Sequence, residues 1–476
     1  MTPHMPPSRP TSPAAETQAT THPAPVISLR DFIEQLRNNN ELHIIKRATD
    51  PRFEISSVLS LRKTGPAQFF ENVTGHSMPV IGNVFNSRAR FAQSLGIPAT
   101  TLATHCLNAL TNPIKPVLVD TAPVQAHVKT TDIDLLADLP VPHWFEREAA
   151  PYITAGVIIA KDPETGKRNV SIARLRLEGG NRIMAGIAKN HHLYRLADKA
   201  LARGHDLEIA VVIGNDAALL LGSQMYMALG DDEYDIAGGL QGSPVELVRC
   251  KTVDLEVPAH AEIVLEGTLS PGELIDEGPV SEFPGFYVNY GAGIGGAITC
   301  ITHRENPVFQ AILPGYAPEH CLLGAISIEA GLAFQLQKTI PCVTRVVVTD
   351  GGMGRLHAVI AMHQPRAGEG KRAILLAMGL VNLLKHVVVV EDDIDPENPQ
   401  DVEWSLAARF RGQEDLVVIE GVKADRCDPI HEGLTVTKIG MVATTRPGDG
   451  AKGSRSEFCT PPQDIFNRVR DALDQY

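Results

Sequence analysis

Cysteine is sparse and unpatterned in this chain. The seven cysteines, Cys106, Cys250, Cys300, Cys321, Cys342, Cys427 and Cys459, include no Cys-x-x-Cys pair. That excludes a zinc finger, an iron–sulfur centre and a disulfide frame, and it predicts reduced, mostly structural thiols. Positive charge is also short: 43 Lys and Arg stand against 56 Asp and Glu, a formal net charge of −13. With no basic stripe to replace the counterions of a polyanion, nucleic acid is excluded as a partner. No run of about 18 apolar residues is present to span a bilayer, so no stable membrane insertion is expected. Residues 1–25 lack the charged start and apolar stretch of a signal peptide, and the expected location is cytoplasmic. Rich in Pro, Thr, Ser and Ala, that tail is expected to be disordered.

What is present is apolar material for two or three cored domains, in 476 residues of which 43% are hydrophobic and 21% charged. Residues 26–120 read as a small α/β unit that opens with a capped helix and a short strand, SLRDFIEQLRNNNELHII. From 121 to 317, β-branched runs at Tyr152–Ala160, Glu208–Ile213, Ala261–Leu265 and Ala297–Ile301 alternate with Gly and Pro turns. They predict an antiparallel, barrel-like sheet interrupted by one helix from 192 to 203. Residues 318–338 predict a linking helix. In 339–455 a strand at Val343–Thr349, a helix near Lys371–Leu384 and a strand at Val387–Val390 alternate as a βαβ unit would. Residues 456–476 close the chain as a helix or tail. The fold class is α/β in the mixed, α+β sense.

Three segments carry chemistry. Asn169-Val170-Ser171-Ile172-Ala173-Arg174 sets a neutral oxygen ligand and a fixed cation five positions apart. On one extended strand, residues at odd spacing point to opposite faces, so Asn169 and Arg174 would serve two neighbouring compartments, one for a metal-bridged phosphate and one for a substrate. Next, His191 and His192 open a segment whose Leu193, Leu196, Ala197 and Leu201 fall at helical spacing, which places both imidazoles at a helix start. Glu233 lies in the acidic turn Leu229–Tyr234, after the apolar run that holds Ser223 and Met225. One Asn, one His and one Glu make a hard, mostly oxygen site suited to magnesium or manganese rather than zinc. Third, Glu277 and Glu282 stand five apart in a loop stiffened by Gly278, Pro279, Pro284 and Gly285, beside Phe283, Phe286 and Tyr287. Two neighbouring carboxylates in such a setting do not both ionise easily, so one of them is expected to have a raised pKa and to carry a proton near neutrality.

In this order the motifs resemble those of the UbiD family of reversible decarboxylases, which use prenylated FMN. The matching stretches are NVSIAR (169–174), the histidine before LYRLAD (192–198), SQM followed by DDEY (223–234), VPAHAEIVLEG (257–267), EGPVSEFPGFY (277–287), VVVVEDDIDP (387–396) and TKIGMVAT (437–444). The family order is kept across roughly residues 30–445. Val280-Ser281 before Glu282 and Phe283-Pro284 after it depart from the usual pattern of the acid loop.

The resemblance implies a UbiD-like architecture: an N-terminal α/β unit, a split β-barrel that binds the flavin, a linking helix and a C-terminal α/β oligomerisation domain. It implies that Asn169, His192 and Glu233 hold a divalent ion, manganese or magnesium, against the cofactor phosphate. A potassium site is implied beside it, from main-chain oxygens near Val170, Ser223 and Met225 with Glu233 shared. Arg174, Glu277 and Glu282 correspond to the family's catalytic network, with Glu282 as proton donor and Arg174 and Glu277 orienting the carboxylate. Ser171, Ile172, Ala173, Arg174, His191 and Lys438 correspond to residues near the flavin. The implied partners are a small carboxylic acid, CO2, a flavin prenyltransferase as cofactor supplier, and further copies of the chain in a homodimer or higher assembly. The substrate class would be an aromatic, heteroaromatic or α,β-unsaturated acid, and His320 with Leu322 and Leu323 are candidates for contacting it. Competing readings are a flavin-binding carrier, a non-autonomous subunit of a larger carboxylase complex, and a metal-dependent hydrolase built on Asn, His and Glu alone.

Two further motifs are set aside. Asn289–Gly296 (NYGAGIGG) imitates a dinucleotide fingerprint but leads into AITCITH, a strand pattern where a helix is required. Glu391–Pro396 (EDDIDP) lacks the glycine and terminal glutamate of a calcium loop and is expected to cap the strand before it.

Overall fold

A computed structural model describes residues 25–225, 228–446, 449 and 459–476. The expected disordered tail therefore lies, up to residue 24, outside the described residues. The N-terminal unit opens with α1 (Leu29–Asn38), capped by Ser28, whose hydroxyl accepts from the Asp31 amide at 3.1 Å. It continues through β1 (Leu42–Ile45), β2 (Ala67–Phe70) and β3 (Val80–Gly82).

The middle of the chain carries β4 (Tyr152–Ile153), β5 (Val157–Lys161), β6 (Arg168–Ile172), β7 (Arg174–Gly179), β8 (Arg182–Gly186), α2 (His192–Ala202), β9 (Leu207–Ile213), α3 (Ala217–Gly222), α4 (Glu233–Gln241), β10 (Ile263–Asp276), β11 (Ala292–His303) and β12 (Phe309–Ala311). Its main sheet runs β4-β7-β8-β11-β10-β9-β5-β6, with His127–Lys129 pairing β11. β4 and β6 are its two edges, yet β6 ends at Ile172 and β7, the neighbour of β4, begins at Arg174. One residue, Ala173, spans from one edge to the other side, and consecutive Cα atoms are only about 3.8 Å apart. The sheet must therefore curl until its edges meet, a barrel with a seam, and the seam is the NVSIAR segment. This corrects the expectation of a single strand with Asn169 and Arg174 on opposite faces: Asn169 is on one edge strand, Arg174 starts another, and the chain turns a corner between them.

Side-chain parity explains why this sheet is covered on both faces. Ile209, Val211 and Ile213 of β9 join one core, with Ile158, Leu175, Ile183, Ile298 and the helix residues Leu193, Leu196 and Ala197. Ala210 and Val212 join the other, with Val157, Ile159, Val170, the α3 residues Ala217–Leu221, and Phe32 and Phe85 of the N-terminal unit. β12 returns to pair with β3, so the N-terminal sheet is closed by a strand from the far end of the barrel segment.

α5 (Pro318–Thr339) then shares itself between two cores: Leu322, Leu323, Ile326 and Ala330 pack with the N-terminal and barrel side, while Ala325, Ile328, Leu332 and Leu336 pack with the C-terminal sheet. That sheet contains β13 (Val343–Val348), β14 (His357–Met362), β15 (His386–Glu391), β16 (Leu416–Lys423) and β17 (Thr435–Ala443), in the order β13-β14-β15-β17-β16, with α6 (Glu369–Leu380) connecting β14 and β15. The βαβ unit is β14-α6-β15, whose strands are parallel. β13, expected as its first strand, instead pairs antiparallel with β14. Asp393 of the acidic run is held by Arg409, as suits a strand-capping turn rather than a calcium loop. β11 follows Asn289–Gly291, which removes the dinucleotide reading. The described part of the C-terminal stretch, from residue 459, carries a helix at Gln463–Arg470 with no buried residue.

Candidate active site

The seam places part of the predicted set around one cavity, lined by Ile172, Ala173, Arg174, His191 and Glu282 together with His320. Arg174 and Glu277 form a bidentate pair, Nε to Oε1 and Nη2 to Oε2, both 2.6 Å. Glu277 is 1% exposed, and its main-chain oxygen accepts from Arg176 at 2.6 Å. Gly186, cross-strand from Arg174, makes room for the pair: a Cβ there would lie 2.7 Å from Glu277 Oε1 and 2.8 Å from Arg174 Nε. Burial disfavours the guanidinium charge, but the bonds and charge of Glu277 outweigh it and hold the Arg174 pKa above its ordinary value.

Glu282 is held by two donors, the Phe283 amide at 2.9 Å and the Tyr290 hydroxyl at 2.8 Å. Burial pushes its pKa up, yet His320, Arg174 and those two hydrogen bonds win, and its carboxyl sits below the usual range. The expectation of a raised carboxylate pKa is thereby corrected for Glu282. The loop's apolar side chains do not surround a bare carboxylate pair, because Glu277 is paired with Arg174, and Glu282 faces the Arg174 charge, the His320 imidazole, which burial holds toward neutral, and two hydrogen-bond donors. A raised carboxyl exists elsewhere on the cavity wall. Burial outweighs the hydrogen bonds from Ser281 in raising Glu148, which accepts from the Ser281 hydroxyl at 2.7 Å.

The second compartment forms where α2 and α4 both pack on β6. Asn169 is buried, and its amide nitrogen donates to Ser171 Oγ at 3.1 Å, leaving its oxygen as a ligand atom. Glu233, the first residue of α4 after the Asp232 cap, is also buried, and its Oε2 accepts from the Val170 amide at 2.8 Å. The nearby cation Arg168 is committed to Asp232 and Glu256. With no ion pair among the described residues, burial, then the Asp232 and Asp231 charges, push the Glu233 carboxyl up to about 7. A buried carboxylate short of positive charge, next to a free amide oxygen, fits a bound cation. Among the described residues no group of three or more His, Cys, Asp or Glu is placed to hold a metal ion by itself, so a cation here would also need the Asn169 oxygen. His192 is the first residue of α2 and burial keeps its imidazole toward the neutral, ligating form. Ser223 caps the C-terminal end of α3 and Met225 is buried in the same core as Val170. Residues 226 and 227 lie outside the described residues.

The wall between these two sites has room and a polar handle that would suit a flavin. His191 Nδ1 is buried without a hydrogen-bond partner, and burial brings this imidazole down to about 4, so it is a neutral group waiting for a polar contact. Ala173, Gly186 and Ala188 line the same cavity without side-chain bulk. Lys438 is not brought there: it is fully buried in the C-terminal sheet, its Nζ donating to the carbonyls of Asn382 at 2.9 Å and Met378 at 3.4 Å. The sequence analysis missed, among others, the cavity residues Glu148, Arg355 and Arg426, and also Tyr290, whose hydroxyl reaches Glu282. Tyr290 lay inside the discounted glycine-rich segment. Arg355 sits in the GGMGR turn between β13 and β14, its Nη1 donating to the Cys321 carbonyl at 2.9 Å, and Gly324 of α5 makes way for its guanidinium. Arg426 comes from the connection between β16 and β17. The glycines flanking Arg355 were the one signal available; Arg426 had none.

Comparison with known proteins identifies the family and the fold. The models of the 3-octaprenyl-4-hydroxybenzoate carboxy-lyase N-terminal domain, Rift-related domain and C-terminal domain match residues 33–110, 115–317 and 321–443. The anhydromevalonate phosphate decarboxylase of Methanothermobacter thermautotrophicus is 33% identical over 430 residues, covering 90% of this chain and 99% of that protein. The UbiD-class enzyme HmfF from Pelotomaculum thermopropionicum in complex with FMN superposes with a TM-score of 0.88 at 37% identity, over 93% of this chain and 99% of the other. An evolved dimeric form of HmfF in complex with prFMN gives 0.84 at 36% identity, over 92% and 98%. The 3,4-dihydroxybenzoic acid decarboxylase AroY of Klebsiella pneumoniae gives 0.85 at 26% identity, over 93% and 99%. No helix among the described residues is long and apolar enough to cross a membrane. With three consecutive family models along nearly its whole length and a matching fold, this chain belongs to the UbiD family of carboxy-lyases.

Proposed function

We propose that the protein is a prenylated-FMN-dependent, non-oxidative decarboxylase of an aromatic, heteroaromatic or α,β-unsaturated carboxylic acid. The observation that carries this reading is the pairing of Arg174 with Glu277 beside Glu282 on one cavity wall, next to the unpartnered nitrogen of His191. The flavin, when bound, supplies the electron sink that an sp2 carbon needs on losing CO2 and that no side chain provides. Ser171, Ile172, Ala173 and His191 would border it. Asn169, His192 and Glu233 would hold manganese or magnesium at its phosphate, with potassium at Val170, Ser223, Met225 and Glu233. A flavin prenyltransferase would supply the cofactor, and the working form would be a homodimer or higher homo-oligomer.

The protein's own part is orientation and proton transfer. Arg174, fixed by Glu277, receives the substrate carboxylate through its remaining donors. That carboxylate brings a second negative charge beside Glu282 and engages the cation that keeps Glu282 ionised, so the Glu282 pKa rises on binding and the group takes up a proton. Once CO2 has left, Glu282 delivers that proton to the vacated carbon. Lowering one barrier serves both directions, so the same site carboxylates under high CO2.

Arg355, which makes no ion pair among the described residues, and His320 narrow the substrate. An uncompensated guanidinium in a cavity that already holds Arg174 supports an acid bearing a second anionic or hydrogen-bond-accepting group, such as a hydroxylated, heterocyclic or dicarboxylic acid. The phosphate in the name of the methanogen relative is in keeping with this. The test is co-expression with a flavin prenyltransferase, mass analysis of the released cofactor, and CO2 assay on a panel of mono- and dicarboxylic aromatic, heteroaromatic and acrylic acids. Prenylated FMN with turnover supports the proposal. Plain FMN without turnover favours a carrier or a non-autonomous subunit, and turnover without flavin favours a hydrolase-type site.

A further inference from the structure

Tyr290 meets three charged groups. Its hydroxyl donates to Glu282 Oε2 at 2.8 Å, and the guanidinium carbons of Arg174 and Arg426 lie over its ring, 5.1 and 3.9 Å from the centroid. Tyr290 and Glu282 belong to the barrel segment, whereas Arg426 belongs to the 424–434 connection of the C-terminal sheet. That connection is pinned: Asp425 accepts from the Cys427 amide at 3.2 Å, Lys385 reaches Asp428 at 3.2 Å, and Cys427 packs with Phe283 and Leu356. Arg426 makes no ion pair among the described residues, so the tyrosine ring is its evident partner.

A cation over the ring draws electron density from it, which makes the phenol O–H a stronger donor. Burial and the neighbouring Glu282 charge push the phenol pKa up, so it stays a donor. We infer that Tyr290 is the positioning residue for Glu282 and that Arg426 positions Tyr290, so the proton donor is set for delivery only when the C-terminal connection is docked on the barrel. The inference rests on Glu282 as that donor. In the step itself, the Glu282 O–H bond breaks, and the electron pair of the vacated carbon forms the C–H bond. The carboxylate left behind is stabilised by the Tyr290 hydroxyl and the Phe283 amide and is reprotonated from solvent. The groups facing Glu282 are His320 and Cys321 from α5, Arg174 from β7, Tyr290 and Phe283 from its own loop, and Cys427 from the C-terminal connection. Arg426 acts on Glu282 through Tyr290.

The experiment reads Glu282 without turnover: carbodiimide coupling of the full chain across pH, with the Glu282 peptide quantified by mass spectrometry. Coupling requires the protonated carboxyl and falls as it ionises. Losing a donor to the carboxylate disfavours the charged form, so Tyr290→Phe moves the falling limb upward by about one pH unit. Arg426→Met moves it the same way by less, Arg426→Lys leaves it near wild type, and Arg426→Met adds nothing in the Tyr290→Phe background. The pH limb of kcat/KM follows for any acid that is turned over. A limb unmoved by Tyr290→Phe in a protein with wild-type thermal stability overturns the inference, as does full additivity of the two substitutions. If the limb moves while no acid yields CO2, the Tyr290 link stands and the decarboxylase reading falls.

Discussion

Gly186→Ala tests whether the Arg174–Glu277 geometry, rather than the mere presence of the two residues, sets the rate. The added Cβ would lie 2.7 Å from Glu277 Oε1 and 2.8 and 2.9 Å from Arg174 Nε and Cζ. Ordinary contact distances require the pair to retreat by roughly half an ångström or more. The obstructing atoms are side-chain ends, so the pair moves and the backbone stays. Overpacking of this kind costs about 1–3 kcal/mol. Breaking the pair instead would strand a buried Glu277 carboxylate, at a cost of about 3–5 kcal/mol. A displacement of this order at a reacting centre lowers kcat by about 10- to 100-fold. Steady-state CO2 release and a thermal melt on the same preparation distinguish the cases. The expected result is a large fall in kcat with a Tm lowered by only a few degrees. A kcat within about twofold of wild type would refute the reasoning, because it would mean the pair tolerates displacement.

Removing divalent metal with a chelator and restoring manganese should raise the melting temperature by several degrees, following the linkage RT ln(1 + [L]/Kd), and the rise should vanish in Glu233→Gln. An unchanged melt in wild type would remove the cation from Glu233. Arg355→Met should raise KM about tenfold for acids with a second anionic group and leave a simple monocarboxylic acid unaffected; equal effects on both would place Arg355 outside the substrate's reach. His357 of β14 should make the fold acid-sensitive. Burial, then His386, bring it from 6.5 to about 4, so the folded protein keeps it neutral while the unfolded chain takes up a proton below 6.5. Stability is therefore full above pH 6.5 and is lost as pH falls toward 4, by about 3 kcal/mol over that window. His357→Gln should flatten this slope in denaturant titrations at successive pH values; an unchanged slope would show that other groups carry it.

The parts legible in the sequence were those written locally. Ser28 before an amphipathic run gave α1, and the apolar spacing after His191 gave the start of α2, because capping and periodicity depend on near neighbours. The seam at Ala173 was not legible. Asn169 and Arg174 look like one strand until the pairing of β6 and β7 with strands far apart in the sheet is known. The same holds for β13, whose apolar pattern cannot tell a parallel from an antiparallel neighbour. The Glu282 charge state was misjudged for a tertiary reason. Its loop is apolar in sequence, but Arg174 comes from β7 and the His320 imidazole, itself pushed toward neutral by burial, from α5, and the tertiary surroundings decide the outcome. Arg426 was invisible, and Arg355 was marked only by the glycines before it, because a lone arginine on a loop is ordinary until the fold aims it into a cavity.

The central claim is that Glu282 returns the proton to the carbon from which CO2 has left. The most direct measurement compares CO2 release from one accepted acid by wild-type and Glu282→Gln protein, matched for bound flavin by absorbance and for folding by thermal melt. Loss of general-acid transfer predicts a fall in kcat of about 10²- to 10⁴-fold with the flavin still bound. Turnover by Glu282→Gln at the wild-type rate would contradict the assignment and pass the proton to another group on the cavity wall.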